Sequence, residues 1–102
     1  MTARLASGVW VSALVRRVNA AGGFATVLTR GDAVAGSIVV VHRDRGAEPV
    51  ALMRAVGPSG ESEWRVAARG DSLDDWLDRQ RGYDPDLWVL ELDIPDLARF
   101  ID

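Results

Sequence analysis

Cysteine is absent from the 102 residues. A disulfide framework, a thiolate nucleophile and a thiolate-bound metal are therefore excluded, which leaves the redox compartment open but fits a cytoplasmic protein. Lysine is absent too, so all 12 basic residues are arginines. Together with the many Ala, Gly and Asp residues, this usage is what a GC-rich genome produces. Selection for forked recognition of phosphate or carboxylate would cluster the arginines, but they are scattered from Arg4 to Arg99 among 15 acidic residues. A net charge of −3 and a pI near 5.0 argue against nucleic acid or a membrane surface as partner. No apolar run approaches the roughly 20 residues that cross a bilayer. Val9 to Val15 matches only the shortest signal-peptide cores. It has neither the charged region before it nor the small-residue cleavage site after it, and reads as a helix of the mature protein.

What is present is an ordinary globular composition, 48% hydrophobic and 26% charged, expected to fold as one domain over residues 1–102. Gly36-Ser-Ile-Val-Val-Val-His42 is a short apolar, β-branched run closed by turn residues at both ends. It predicts a central strand buried on both faces. Before it, a helix is predicted from Ser7 to the Gly22-Gly23 stop, with Trp10, Val11, Leu14, Val15, Val18 and Ala21 on one arc and Arg17 at its margin. Phe24 to Thr29, Pro49 to Val56 and Glu63 to Arg69 read as strands. In the last of these, alternation places Trp64, Val66 and Ala68 on one face. Short links between four successive strands favour an antiparallel meander. Ser72, with Asp75 three residues on, reads as the cap of a second helix that Asp84-Pro85-Asp86 ends. Leu87 to Ile94 is a last strand with Trp88, Leu90, Leu92 and Ile94 turned one way, and Pro95 to Ile101 a short final helix. The expected fold is α+β, order αββββαβα: a two-layer sandwich of a mainly antiparallel sheet of about five strands, with two to three helices packed mostly on one face.

The motifs that imitate catalysis lack their surroundings. His42-Arg43-Asp44 copies a kinase catalytic loop without its lysine or glycine-rich strands, and this lone histidine has no nucleophile partner. Asp74-Asp75-Trp76-Leu77-Asp78 copies an aspartate-rich magnesium motif. Acidic residues in a first helical turn, with Arg79 and Arg81 near the other end, satisfy the helix dipole just as well. Arg30-Gly31-Asp32 and Arg69-Gly70-Asp71 spell an adhesion tripeptide where strands leave the sheet and turns are needed. Glu91 and Asp93 alternate on a strand face without needing to be an acid–base pair. No residue is assigned a catalytic role, and neither metal nor cofactor is expected. Of four tryptophans, Trp88 stands out, preceded by Gln80-Arg81 and flanked by Asp84, Asp86 and Glu91.

Ser7-Gly8-Val9-Trp10-Val11, Leu14-Val15-Arg16-Arg17, Phe24-Ala25, Arg30-Gly31-Asp32, Ala35-Gly36 and Gln80-Arg81 through Asp84-Pro85-Asp86-Leu87-Trp88-Val89-Leu90-Glu91 resemble the short bacterial proteins of domain of unknown function family 1491, mostly alphaproteobacterial. The resemblance covers nearly the whole chain. It implies a bacterial, stand-alone, cytoplasmic protein and carries no catalytic or binding role onto these positions. The leading expectation is a non-catalytic binding or regulatory module that self-associates as a homo-oligomer or takes another protein as partner. The rival is a small-molecule protein or enzyme in which Arg17, Arg30 or Arg81 meets an anionic ligand, Asp32 or Asp84 orients the arginine, and Trp88 marks the contact surface.

Overall fold

The computed structural model describes residues 5–101. The reading of residues 1–4 as lacking a leader's charged region lies outside the described residues. Helix α1 (Ser7–Ala20) is followed by strands β1 (Phe24–Thr29), β2 (Ile38–Arg43), β3 (Val50–Val56) and β4 (Ser62–Arg69). Helix α2 (Leu73–Tyr83), strand β5 (Trp88–Asp93) and a 3-10 turn at Leu97–Arg99 complete the chain. The α+β class, the order of elements and a mainly antiparallel five-stranded sheet are thus as expected.

Strand order departs from the expected meander. The sheet runs β1-β5-β2-β3-β4, so only β2, β3 and β4 form consecutive hairpins. β5 inserts between β1 and β2, antiparallel to the first and parallel to the second. β5 and β2 carry the longest runs of buried side chains, in keeping with a sheet centre that is covered on both sides. Val39, Val40, Val41, Val89, Leu90 and Leu92 are almost wholly buried. Each fully buried leucine among them contributes about 2 kcal/mol.

Side-chain alternation along β2 and β5 then feeds two cores rather than one. Val40, Leu90, Leu92 and Ile94 join Val11, Leu14 and Val18 of α1 and the C-terminal Leu97, Phe100 and Ile101. Val39, Val41, Val89 and Leu87 join Leu73 and Leu77 of α2. The helices therefore lie on opposite faces, not mostly on one. A continuous apolar strand needs a cover on each side.

β4 carries a second correction. Ala51 pairs with Ala68 but Leu52 with Val66, so Ala67 is an extra residue in the ladder. Trp64 consequently packs on the α1 side and Ala68 on the α2 side. Ser72 does not cap α2. A 3-10 turn at Gly70–Ser72 leads into the helix, and within it the Ser72 hydroxyl turns back to donate to the Arg69 carbonyl at 2.9 Å. Asp84 ends α2 in an extended conformation, as the following proline requires. Gly82, on this helix, has nothing within 4 Å of where a Cβ would stand. Gly82→Ala is expected to raise stability by about 0.5 kcal/mol, read as an upward shift of the melting temperature. A drop would show that the last turn is not helical.

Candidate functional site

The connection from β1 to β2 has to cross the incoming end of β5, and this crossing organises the candidate residues. Residues 30–37 straddle Asp86–Trp88. The Asp32 N–H donates to the Asp86 carbonyl at 3.0 Å, and the indole Nε1–H of Trp88 donates to the Asp32 carbonyl at 2.7 Å. The Asp32 carboxylate accepts from the N–H groups of Val34 (3.0 Å) and Ala35 (2.8 Å). The same connection receives the start of α1. Ser7 and Gly8 donate their N–H groups to the carbonyls of Val34 and Ala33, and the Ser7 hydroxyl donates to that of Gly36. A helix whose Ala6 N-cap has no capping side chain thereby finds partners for its first amides. The Arg-Gly-Asp tripeptide is a structural crossing.

Those two amides hold the Asp32 carboxyl below the usual carboxylate range, the Ala35 bond being the larger cause. A depressed folded-state value stabilises the fold above the unfolded carboxylate pKa, and that contribution disappears as pH falls through the folded value. Asp32→Asn is therefore expected to be less stable than wild type at pH 7, with the gap closing below about pH 4. Urea midpoints across pH 2.5–7 check this, and a gap that stays constant would refute it.

Of the six residues singled out by sequence, the fold brings Arg30, Asp32, Asp84 and Trp88 to this crossing. The Arg30 guanidinium lies 5.6 Å from the Trp88 ring centre, and Asp84 Oδ1 accepts the Asp86 N–H at 3.0 Å in a local turn. Trp88 is buried, 3% exposed, as part of the α1-side core. Arg17 and Arg81 are elsewhere. Arg17 donates to the carbonyls of Phe100 and Arg99 and stacks on Phe100, fastening the C-terminal segment. Arg81 donates to the Thr29 hydroxyl at 2.7 Å and pairs with Asp78, tying α2 to the end of β1. His42 Nε2 bonds the Ile94 carbonyl at 2.7 Å, and Glu91 pairs with Arg43. Each of these groups has a local structural partner.

Beside the crossing lies a groove of about 680 Å³ between α1 and β1. Val9, Val27 and Val34 line it together with Trp88, Arg16 and Arg30. Val34 is 72% exposed, Val9 55% and Val27 41%. Val9 and Arg16, seven residues apart, fall on one stripe of α1. Sequence reasoning gave Arg16 no part in a site; it is exposed on α1 and lines this groove. The available signal was that none of its turn neighbours, Ser12, Ala13, Asn19 and Ala20, is acidic.

A family model described as protein of unknown function (DUF1491) matches residues 5–102. The chain belongs to this family. Among solved structures, a crystal structure of a DUF1491 family protein from Caulobacter crescentus CB15 is 35% identical, with 96% of this chain and 95% of that one covered and a TM-score of 0.84. An NMR structure of a DUF1491 family protein from the same organism is also 35% identical, covering 93% and 90%, at TM-score 0.77. A solution structure of a protein from A. tumefaciens is 36% identical over 94% and 91%, at TM-score 0.77. None of the curated proteins matches. The DUF1491 fold thus extends over essentially the whole chain, and the family is one without an assigned activity.

Proposed function

We propose that this DUF1491 protein is a non-catalytic binding module, acting in the cytoplasm, whose binding face is the groove between α1 and the outer strand β1. One observation carries the reading. Exposed apolar side chains gather there, Val9 and Val34 beside Val27, and Val27 belongs to a strand with no charged residue. An uncharged edge strand next to an apolar groove is a surface that extended polypeptide fits. Of the side chains first considered for chemistry, Arg17, Asp32, Arg81 and Asp84 fasten loops and strand ends, while Arg30 and Trp88 line the groove.

A second copy is the less favoured occupant. The outward N–H of Ala25 is already taken by Asn19 Oδ1 at 3.1 Å, and the ladder to β5 is irregular between Val27 and Thr29. Both features shorten the run on which two β1 edges could pair. Selecting random dodecapeptides against the immobilised full chain, then mapping the winners by amide chemical shifts, tests the reading. Shifts should gather on residues 9–16 and 24–34, and Val9→Glu with Val34→Glu should abolish them. Winners that map elsewhere, or none at all, would count against this face. Sedimentation velocity at micromolar concentration decides whether the face is instead buried in a dimer.

A further inference from the structure

We propose that the α1–β1 groove selects extended segments in which apolar side chains alternate with carboxylates, and that Arg16 and Arg30 are the cations that receive them. The inference rests on the binding-module reading and adds the chemistry of the partner.

Acidic residues outnumber basic ones 15 to 12 in this chain, so two arginines gathered in one groove stand against the net charge. Arg43, Arg65 and Arg81 each have an acidic partner within ion-pair distance. Among the described residues, Arg16 and Arg30 have none; Arg45, Arg69 and Arg79 form no ion pair either, but Arg16 and Arg30 line the same groove. No carboxylate is among the residues that line it. Asp32, the nearest acid in sequence to Arg30, directs its carboxylate at two backbone amides. The groove is therefore an apolar trough carrying uncompensated positive charge on an otherwise acidic protein.

Arg30 is also held in place. Its guanidinium rests against the Trp88 indole, which is itself fixed by the hydrogen bond to the Asp32 carbonyl. A stacked guanidinium keeps its donors free at the rim and loses little freedom when a carboxylate arrives. Val27 adds the backbone element. The Ala25 N–H is directed outward to Asn19, so strand alternation turns the N–H and C=O of Val27 outward as well. Val9 and Arg16 stand roughly 10 Å apart along the helix, which is about three residues of extended chain. An octapeptide is long enough to span the groove. Like charge disfavours a second copy here, because a symmetric pairing of β1 edges would bring the arginines of the two copies toward one another.

The test uses the full chain and two acetylated, amidated octapeptides. One has Val at alternate positions with two Glu between them and Ser at the flanks, and the other has both Glu replaced by Gln. Fluorescence anisotropy and amide shift mapping give affinity and place. The Glu peptide should perturb the groove and bind roughly tenfold more tightly than the Gln peptide, with an advantage that shrinks as salt is raised. Arg16→Gln and Arg30→Gln should each remove most of it, while Arg79→Gln on α2 should not. Equal binding of the two peptides in the groove overturns the carboxylate preference and leaves the binding face standing. The same holds if peptides selected at random bind the groove but the Glu octapeptide does not. If Arg79→Gln weakens binding as much as Arg30→Gln, the effect is one of net charge and the site assignment fails. A dimer that buries the groove overturns the inference in favour of a second copy.

Discussion

Trp88→Ala should cost about 4 kcal/mol, a large share of the roughly 5–15 kcal/mol by which a folded domain is stable. The indole is the first residue of β5 and is packed in the α1-side core with Leu90, Val11 and Leu14. Truncation to a methyl group leaves a cavity that the packed core around it cannot close by shifting. It also removes the donor that holds the Asp32 carbonyl, and with it one anchor of the β1–β2 crossing. Trp88→Phe separates the two effects. It keeps most of the apolar volume but leaves the carbonyl without the indole, for a cost of about 1 kcal/mol. Urea unfolding followed by far-ultraviolet circular dichroism measures both without depending on tryptophan emission. A Trp88→Ala cost near that of Trp88→Phe would mean that the indole contributes its hydrogen bond and little packing. Because Arg30 rests on the same ring, both variants are also expected to weaken acidic-peptide binding beyond what stability loss explains.

The elements were legible in the sequence because each carries its own period, and strand order was not because no local pattern encodes it. Val39-Val40-Val41 announced a strand buried on both faces. Its full consequence was a helix on each side and a strand on each flank, whereas the short β1–β2 connection reads as a hairpin turn. That connection is eight residues long and crosses over β5 instead of turning back. The extra residue at Ala67 was invisible for a different reason: alanine suits either face of a sheet, so alternation through it carries no register. At the site, arginines and aspartates were recognised as unusual but not for what they touch. Arg17 and Arg81 meet carbonyl and hydroxyl oxygens on segments 83 and 52 residues away, separations at which sequence offers no pairing rule. Arg16 shows the converse, since what marks it is its place with Arg30 in a groove that no carboxylate lines.

Gly31→Ala and Gly36→Ala should each destabilise by about 3 kcal/mol, because both glycines sit where the crossing presses against β5. A Cβ at Gly31 would overlap the Asp86 carbonyl oxygen and stand 2.6 Å from Trp88 Cδ1 and 2.7 Å from the Leu87 carbonyl carbon. One at Gly36 would overlap the same Asp86 oxygen and stand 2.9 Å from both the Asp32 oxygen and Trp88 Cδ1. Most of these atoms belong to backbone entering or leaving a central strand, so they cannot move aside as a side-chain tip would. Neither glycine needs a positive φ, which makes the cost one of contact and not of backbone conformation. Gly46 provides the comparison: its φ is +82° with nothing within 4 Å of a Cβ, and Gly46→Ala should cost only about 1 kcal/mol of conformational strain. The double variant Gly31→Ala/Gly36→Ala should cost clearly less than the sum of the two. Both methyl groups displace the same Asp86 carbonyl, and once that segment has shifted for one it has made room for the other. Strict additivity, or single costs no larger than that of Gly46→Ala, would mean that residues 30–37 do not ride over the start of β5.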